Sequence, residues 1–210
     1  FLKYKIIKNL IRKKIKKEKK YFLELISNLD FSTEFFSLNA YNFSEVLSSK
    51  SDNFKYLEIG TFEGGSAVYI ASKYPNSEIF CVDNWVRTED GYEVLDFNEI
   101  EKNFDKNKSN FKNIIKIKNS SDDFFKNNNY KFDVIYIDGY HKASQVLKDC
   151  QNAWKILNLD GLLICDDYIW DHYKNSQDSP CFAINKFLKS INNFKILKVS
   201  NSQIFIKKAF

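Results

Sequence analysis

From residue 55 onward, short runs that are apolar at consecutive positions alternate with stretches of helical period, and this alternation narrows the choice of fold more than anything else in the chain. The runs are Tyr56 to Ile59, Ile79 to Val82, Ile114 to Ile117, Phe132 to Ile137, Leu162 to Cys165, Phe194 to Val199 and Ile204 to Ile206. Between the fourth and fifth, Ala143, Val146, Leu147, Cys150, Ala153, Trp154 and Leu157 trace one face of a helix; Ala183, Ile184, Phe187, Leu188 and Ile191 mark another. A strand apolar at every position is covered on both faces. The pattern therefore predicts an α/β fold, an open twisted sheet of about seven strands, mostly parallel, with helices on both faces. Only Ser200 to Gln203 join the last two runs. That is too short for a crossover, so the final strand is predicted to be antiparallel. Such a sheet binds its ligand at the carboxyl ends of its strands.

The charge is unevenly placed. Of 210 residues with formal net charge +5, the first 20 hold ten of the 32 Lys and Arg and only one of the 27 acids, Glu18. The remaining body is mildly acidic, so no broad basic face is available for duplex nucleic acid and no nucleic-acid partner is expected. Within the arm, Leu2, Ile6, Ile7, Leu10, Ile11 and Ile15 fall at helical spacing with Lys on the other face, an amphipathic basic helix. Such a helix packs its stripe on the body or on a second subunit, or touches an anionic membrane surface. Residues 1–53 are accordingly set apart as a basic helix and short helical cap, and residues 54–210 as the main domain. With 44% hydrophobic residues, a mean hydropathy of −0.43 and no long apolar run, a soluble protein is expected. Cys81, Cys150, Cys165 and Cys181 lie far apart and read as buried thiols in a reducing, cytoplasmic setting.

After the first strand comes Glu58-Ile-Gly60-Thr61-Phe62-Glu63-Gly64-Gly65-Ser66, a glycine-rich turn that opens a helix. A dinucleotide fold competes for this pattern, but Phe62 stands where that fingerprint needs a glycine to approach a pyrophosphate, and Glu58 suits a diphosphate badly. An acid beside an open turn suits a ligand with an ammonium group. The segment resembles motif I of the class I S-adenosylmethionine-dependent methyltransferases, over roughly residues 55 to 208. The resemblance implies a Rossmann-like sheet ending in an antiparallel strand. It also implies S-adenosylmethionine binding by Glu58, Gly60, Thr61, Gly64, Gly65 and Ser66, ribose contacts from Asp83 and Asn84, and adenine contacts near Ser120 and Ser121. Capping and turn formation are the competing explanations at two of these places: an Asx turn for Asp83, and an N-cap with two acids in the first turn for Ser120 to Asp123.

The fourth strand ends in Asp138-Gly-Tyr-His141 and the fifth in Asp166-Asp167. If these strands are neighbours, Asp138, Asp166 and Asp167 emerge at one edge, where three unpaired carboxylates repel each other unless a proton or a divalent cation intervenes. Oxygen donors favour Mg²⁺, with Mn²⁺ and Ca²⁺ as alternatives. The pairing of Ile-Asp-Gly-x-His with a later Asp-Asp-Tyr resembles small-molecule and sugar O-methyltransferases and cephalosporin hydroxylase-like proteins. That resemblance implies a metal held by Asp138, Asp166 and Asp167, with Asp138 and His141 as catalytic groups and His141 as the base. The acceptor is then a small-molecule hydroxyl, for instance on a sugar or glycan precursor, and a homo-oligomer is compatible. Two alternatives stay open: a metal-independent methyltransferase, and a non-catalytic adapter docking through the basic helix. The long stretch from Asn84 to Asn110, with Trp85, Arg87, Tyr92 and Phe97, is expected to be a connection carrying acceptor contacts, as are residues 31 to 47. His172 has no motif around it.

Overall fold

The computed structural model describes residues 2–87, 95–170, 172–200 and 202–210, with the side chains described from Ile7 onward. Two helices, α1 (Leu2–Leu25) and α2 (Ala40–Leu47), precede an alternating series: β1 (Lys55–Ile59), α3 (Gly65–Lys73), β2 (Glu78–Asp83), α4 (Phe97–Lys108), β3 (Ile114–Lys118), α5 (Ser121–Asn127), β4 (Phe132–Ile137), α6 (Ala143–Ile156), β5 (Leu157–Cys165), α7 (Pro180–Ser190), β6 (Phe194–Val199) and β7 (Ile204–Lys208). They form one seven-stranded sheet in the order β3-β2-β1-β4-β5-β7-β6. Strands β1 to β5 run parallel, and β7 is antiparallel to both β5 and β6.

The strands are apolar on both faces because two separate cores need them. On one face, Tyr56, Tyr136, Ile164 and Phe205 pack with α3, α4 and α2; on the other, Leu57, Ile135, Leu163 and Ile206 pack with α6 and α7. Phe22, Phe36, Ala40, Phe43 and Leu47, all from the first 53 residues, are buried in the first of these cores together with β1 and β4. Asn84 to Asn110 is not one connection, since α4 occupies its second half. Only Ile100, Phe104 and Asn107 of α4 are buried, and the intervening Lys, Asn, Glu and Asp hide the period. Asp96 caps α4 by accepting from the Asn98 N–H at 2.9 Å, and Lys106 and Lys108 occupy its last turn. Tyr92 lies outside the described residues.

Because β1 pairs with β2 on one side and β4 on the other, the chain reverses its direction of travel through the sheet at β1. A crevice forms above such a reversal. Immediately past each strand the ladder continues for one more bond: Gly60 N–H to Val82 C=O at 2.9 Å, Asp138 N–H to Ile59 C=O at 2.8 Å, Asp166 N–H to Ile137 C=O at 2.9 Å, and Asn119 N–H to Asp83 C=O at 2.9 Å. These bonds fix the first residue of each loop against its neighbour, so the side chains of Asp138 and Asp166 start from backbone that cannot drift.

Candidate active site

Above the β1 reversal lies a cavity of about 630 Å³, within the range typical of small-molecule sites. Its floor on one side is the glycine turn. Gly60 takes φ +83°, and a Cβ there would stand 2.1 Å from the Asp138 carbonyl oxygen, so only glycine lets the β1 and β4 loops touch. Phe62 and Trp85 also adopt left-handed φ values, 54° and 48°. Both are held by Asp83, whose carboxylate accepts from the Phe62 N–H at 2.9 Å and the Trp85 N–H at 2.8 Å, while the Trp85 indole N–H donates to the Phe62 carbonyl at 3.0 Å. Asp83 thus forms the Asx turn and lines the cavity as well. Burial lifts its carboxyl above the ordinary value, against the pull of the surrounding N–H groups.

Glu58 is buried at the end of β1, accepting from Ser66 Oγ at 2.6 Å and from the Tyr56 hydroxyl at 3.0 Å. Burial pushes its carboxyl up to about 8. Glu63, in the same turn, is equally buried and accepts from the backbone N–H of Ser32 at 2.9 Å and from Asn103 Nδ2 at 2.8 Å. Asn107 completes the clamp, donating to the carbonyls of Asp30 at 2.8 Å and Glu63 at 3.0 Å. These bonds draw the segment after α1 over the cavity, where Phe31, Thr33, Glu34, Phe35, Phe36, Leu38 and Asn39 line it. Phe35, Leu38 and Val86 form an exposed apolar rim, 58%, 72% and 60% accessible.

The other side of the cavity is acidic. Asp138, His141 and Asp167 each offer a ligand atom within 4.8 Å of the others. His141 Nε2 lies 2.8 Å from Asp167 Oδ2, and its ring stacks on Trp170 at a centroid separation of 4.3 Å. Asp167 takes φ 53°. Asp166, expected as a ligand on the same footing as Asp138 and Asp167, is turned inward. Its Oδ1 accepts from the Asp167 N–H at 2.8 Å, and its Oδ2 accepts from Gln203 Nε2 at 2.8 Å, from Asn39 Nδ2 at 3.3 Å and from the Tyr136 hydroxyl. Tyr136 also approaches Asp138 Oδ2 at 2.8 Å. One hydroxyl proton cannot serve two carboxylates, so the pair needs a second proton or a cation. Burial, with Asp166 and Asp167 nearby, raises Asp138 well above the ordinary carboxyl range, and burial beside Asp167 raises Asp166 to about 6. Asp138 and Asp167 form a face rich in carboxylate oxygen that fits a hard divalent ion, with His141 as the nitrogen donor or the neighbouring base.

A third wall comes from the β3 and β4 loops. Ser120 caps α5, accepting from the Asp123 N–H at 3.1 Å, as the capping explanation requires, yet Asn119, Ser120, Ser121 and Asp122 also line the cavity. Gln145 reaches from α6 to Ser121, Asp122 and Asp149, and burial lifts Asp149 to about 6.

The cavity brings together Glu58, Gly60, Thr61, Gly65, Ser66, Asp83, Asn84, Ser120, Ser121, Asp138, His141, Asp166 and Asp167. Gly64 is the exception. It is the N-cap of α3 at φ +87°, and a Cβ there would meet the Phe104 ring at 3.0 Å, behind the turn. His172 is an exposed loop residue whose ring lies 4.4 Å from that of Trp170. Sequence reasoning missed Glu63, Tyr136, Asp149, Trp170 and Gln203. Of these, Glu63 had a local signal, an acid inside a glycine turn.

A family model described as a methyltransferase domain matches residues 57–168. An uncharacterised protein of Acanthamoeba polyphaga mimivirus is 30% identical over 151 residues, which cover 68% of this chain and 62% of that relative, so the chain spans less than two thirds of its length. Among solved structures, a Staphylococcus aureus protein provisionally assigned as a caffeoyl-CoA O-methyltransferase superposes over 100% of both chains with TM-score 0.63 at 18% identity. MycE, a methyltransferase of the mycinamycin biosynthetic pathway solved with Mg, SAH and mycinamycin VI, gives TM-score 0.63 at 16% identity over 90% of this chain and 54% of its own. At these identities the likeness is one of fold.

Proposed function

Because the chain belongs to the methyltransferase-domain family, we propose that it transfers a methyl group from S-adenosylmethionine to a hydroxyl of a small molecule, assisted by a divalent cation. The observation that carries this reading is the convergence of Asp138, His141 and Asp167 on one wall of a cavity whose opposite wall is the glycine turn and Asp83. Glu58, Gly60, Thr61, Gly65 and Ser66 are suited to the amino-acid end of the donor, and Asp83 and Asn84 to its ribose. Ser120 and Ser121, with Asp149 beneath them, are suited to its base. Asp138 and Asp167 would hold the cation, with Asp166 behind them. When bound, such an ion supplies positive charge that makes a coordinated hydroxyl more acidic.

Asp167 orients the His141 ring through Nε2, and Trp170 fixes it from the side. His141 Nε2 shares its proton with Asp167, since Nδ1 is buried, and the pair takes the hydroxyl proton as the acceptor oxygen bonds to the methyl carbon and the carbon–sulfur electron pair leaves on sulfur. Charge is cancelled in that step, so the buried apolar lining of Phe22 and Phe36 favours it by keeping that wall of the cavity dry. Trp170 lines the cavity beside His141, and an aromatic ring there supports a sugar or glycan precursor as the acceptor. The magnesium in the MycE complex supports the cation.

Thermal melting with S-adenosylhomocysteine tests the donor site. At a hundred times its dissociation constant the ligand adds about 2.7 kcal/mol, a rise of roughly 5 to 10 °C for a chain of this size. Mg²⁺ should raise the midpoint further and a chelator should reverse that part alone; no rise with S-adenosylhomocysteine removes the proposal. The His141–Asp167 pair favours a second reading, a metal-free enzyme with His141 as the base, and methyl transfer that survives chelation selects it.

A further inference from the structure

Helix α1 leaves the body partway along its length. Its last turns are anchored: Glu18 accepts from Tyr69 at 2.8 Å and pairs with Lys73 at 3.0 Å, the Tyr21 hydroxyl meets Ser72 Oγ at 2.7 Å, and Phe22 is buried. Residues 7–17 are exposed without a break. At 100° per residue, Ile7, Leu10, Ile11 and Ile15 fall on the arc that Phe22 and Leu25 later use to pack against the core. These four residues are 48%, 53%, 41% and 38% accessible. The same segment carries six bases, Lys8, Arg12, Lys13, Lys14, Lys16 and Lys17, and no acid.

We infer that residues 7–17 of α1 seat the protein on an anionic lipid surface, the helix lying in the plane of the headgroups with its isoleucines in the acyl boundary. Charge complementarity selects this occupant. A second copy offers the same six bases and repels; a nucleic acid accepts the bases but leaves four aliphatic side chains in water. An anionic bilayer satisfies both faces at once. Lys14 falls inside the apolar arc, and its long stem lets the ammonium reach the headgroups while the methylenes stay among the isoleucines. Among the described residues no helix is long and apolar enough to cross a membrane, which matches a helix that lies on the surface.

The placement also leaves the cavity free. Phe22 lines the cavity and packs beside Gly65 at the start of α3, whereas Glu18 pairs one and two turns further along, at Tyr69 and Lys73. The exposed stripe therefore leads away from the cavity mouth.

Flotation with lipid vesicles tests the proposal. The intact chain should bind vesicles of phosphatidylcholine with about 30 mol% phosphatidylserine at least ~10-fold more tightly than phosphatidylcholine alone, and the binding should weaken about fivefold or more as salt rises from about 0.1 to 0.5 M. The double variant Ile11→Asp/Ile15→Asp should lose roughly tenfold or more in vesicle affinity with an unchanged melting temperature and an unchanged response to S-adenosylhomocysteine, since both side chains are exposed and neither lines the cavity. Equal binding to both vesicle types overturns the proposal. So does a lipid-free dimer that the double variant dissolves, because the stripe then belongs to a second copy. Duplex DNA binding tighter than vesicle binding and indifferent to the double variant overturns it as well.

Discussion

The two sides of the cavity use the same residue type, an acid at a strand end, to opposite effect. On the β1–β2 side, Glu58, Glu63 and Asp83 are all met by protein donors: hydroxyls of Tyr56 and Ser66, backbone N–H groups of Ser32, Phe62 and Trp85, and the Asn103 amide. There the acids build the walls. On the β4–β5 side, Asp138, Asp166 and Asp167 crowd together and Tyr136 offers one proton between two of them. Asp166 is still well supplied, by Gln203, Asn39 and the Asp167 N–H, so the shortage falls on Asp138, which shares the Tyr136 hydroxyl and faces Asp167 across the cavity wall. What distinguishes an architectural carboxylate from a reactive one is the count of donors around it, which its position at the edge of the sheet does not reveal.

The sharpest way to break this contrast is at the point where the two sides touch. Gly60→Ala pushes a methyl group into the Asp138 carbonyl and should cost more than about 4 kcal/mol, seen as a fall of ~10 °C or more in melting temperature. A wild-type midpoint would mean that the loops are free to separate.

Glu58→Gln addresses protonation on the donor-rich side. The carboxyl is raised from 4.5 to about 8, so its contribution is complete below pH 4.5 and is lost as pH climbs through 8. The glutamine variant should gain on wild type between pH 5 and pH 9, by up to about 4 kcal/mol at 1.36 kcal/mol per pH unit. Melting curves that stay parallel across that range would show Glu58 to be ionised throughout.

Paired substitutions at Asp83 and Asp138 should move stability in opposite directions. Asp83→Asn weakens the charge-assisted bonds to Phe62 and Trp85 and should cost about 2 kcal/mol. Asp138→Asn removes one member of the repelling group and, at pH 8 without metal, should add about 1 kcal/mol while abolishing any response to Mg²⁺. Chemical denaturation of both variants, with and without Mg²⁺, measures this; the same sign at both positions would erase the distinction. The smallest effect on stability is expected at Ser120→Ala, about 0.5 kcal/mol from the lost α5 cap, measured the same way and accompanied by weaker S-adenosylhomocysteine binding because Ser120 also lines the cavity.

How much of this was legible in the sequence follows from the range of the interactions. Strands such as Phe132–Ile137 announce themselves because both faces are buried, and the four-residue link Ser200 to Gln203 alone fixes the direction of β7. α4 stayed hidden because its buried face is narrow and includes a polar residue, Asn107, that ties Asp30 to Glu63. The boundary between α6 and β5 carries no punctuation at all, since Ile156 ends the helix and Leu157 begins the strand. At the site, Asp138, His141 and Asp167 were visible as local motifs. The inward turn of Asp166 was not, because Gln203 and Asn39 reach it from 37 and 127 residues away. Tyr136 looked like any core aromatic of β4, and nothing in its neighbours signals that its hydroxyl sits between two carboxyls.

The bare contact at Gly60 has a mechanical consequence. With no side chain between them, the loop that cradles one ligand and the loop that carries Asp138 rest backbone on backbone. Neither can move toward the other without pushing it, so whatever settles first in one half of the crevice sets the shape that the other half presents to its own guest.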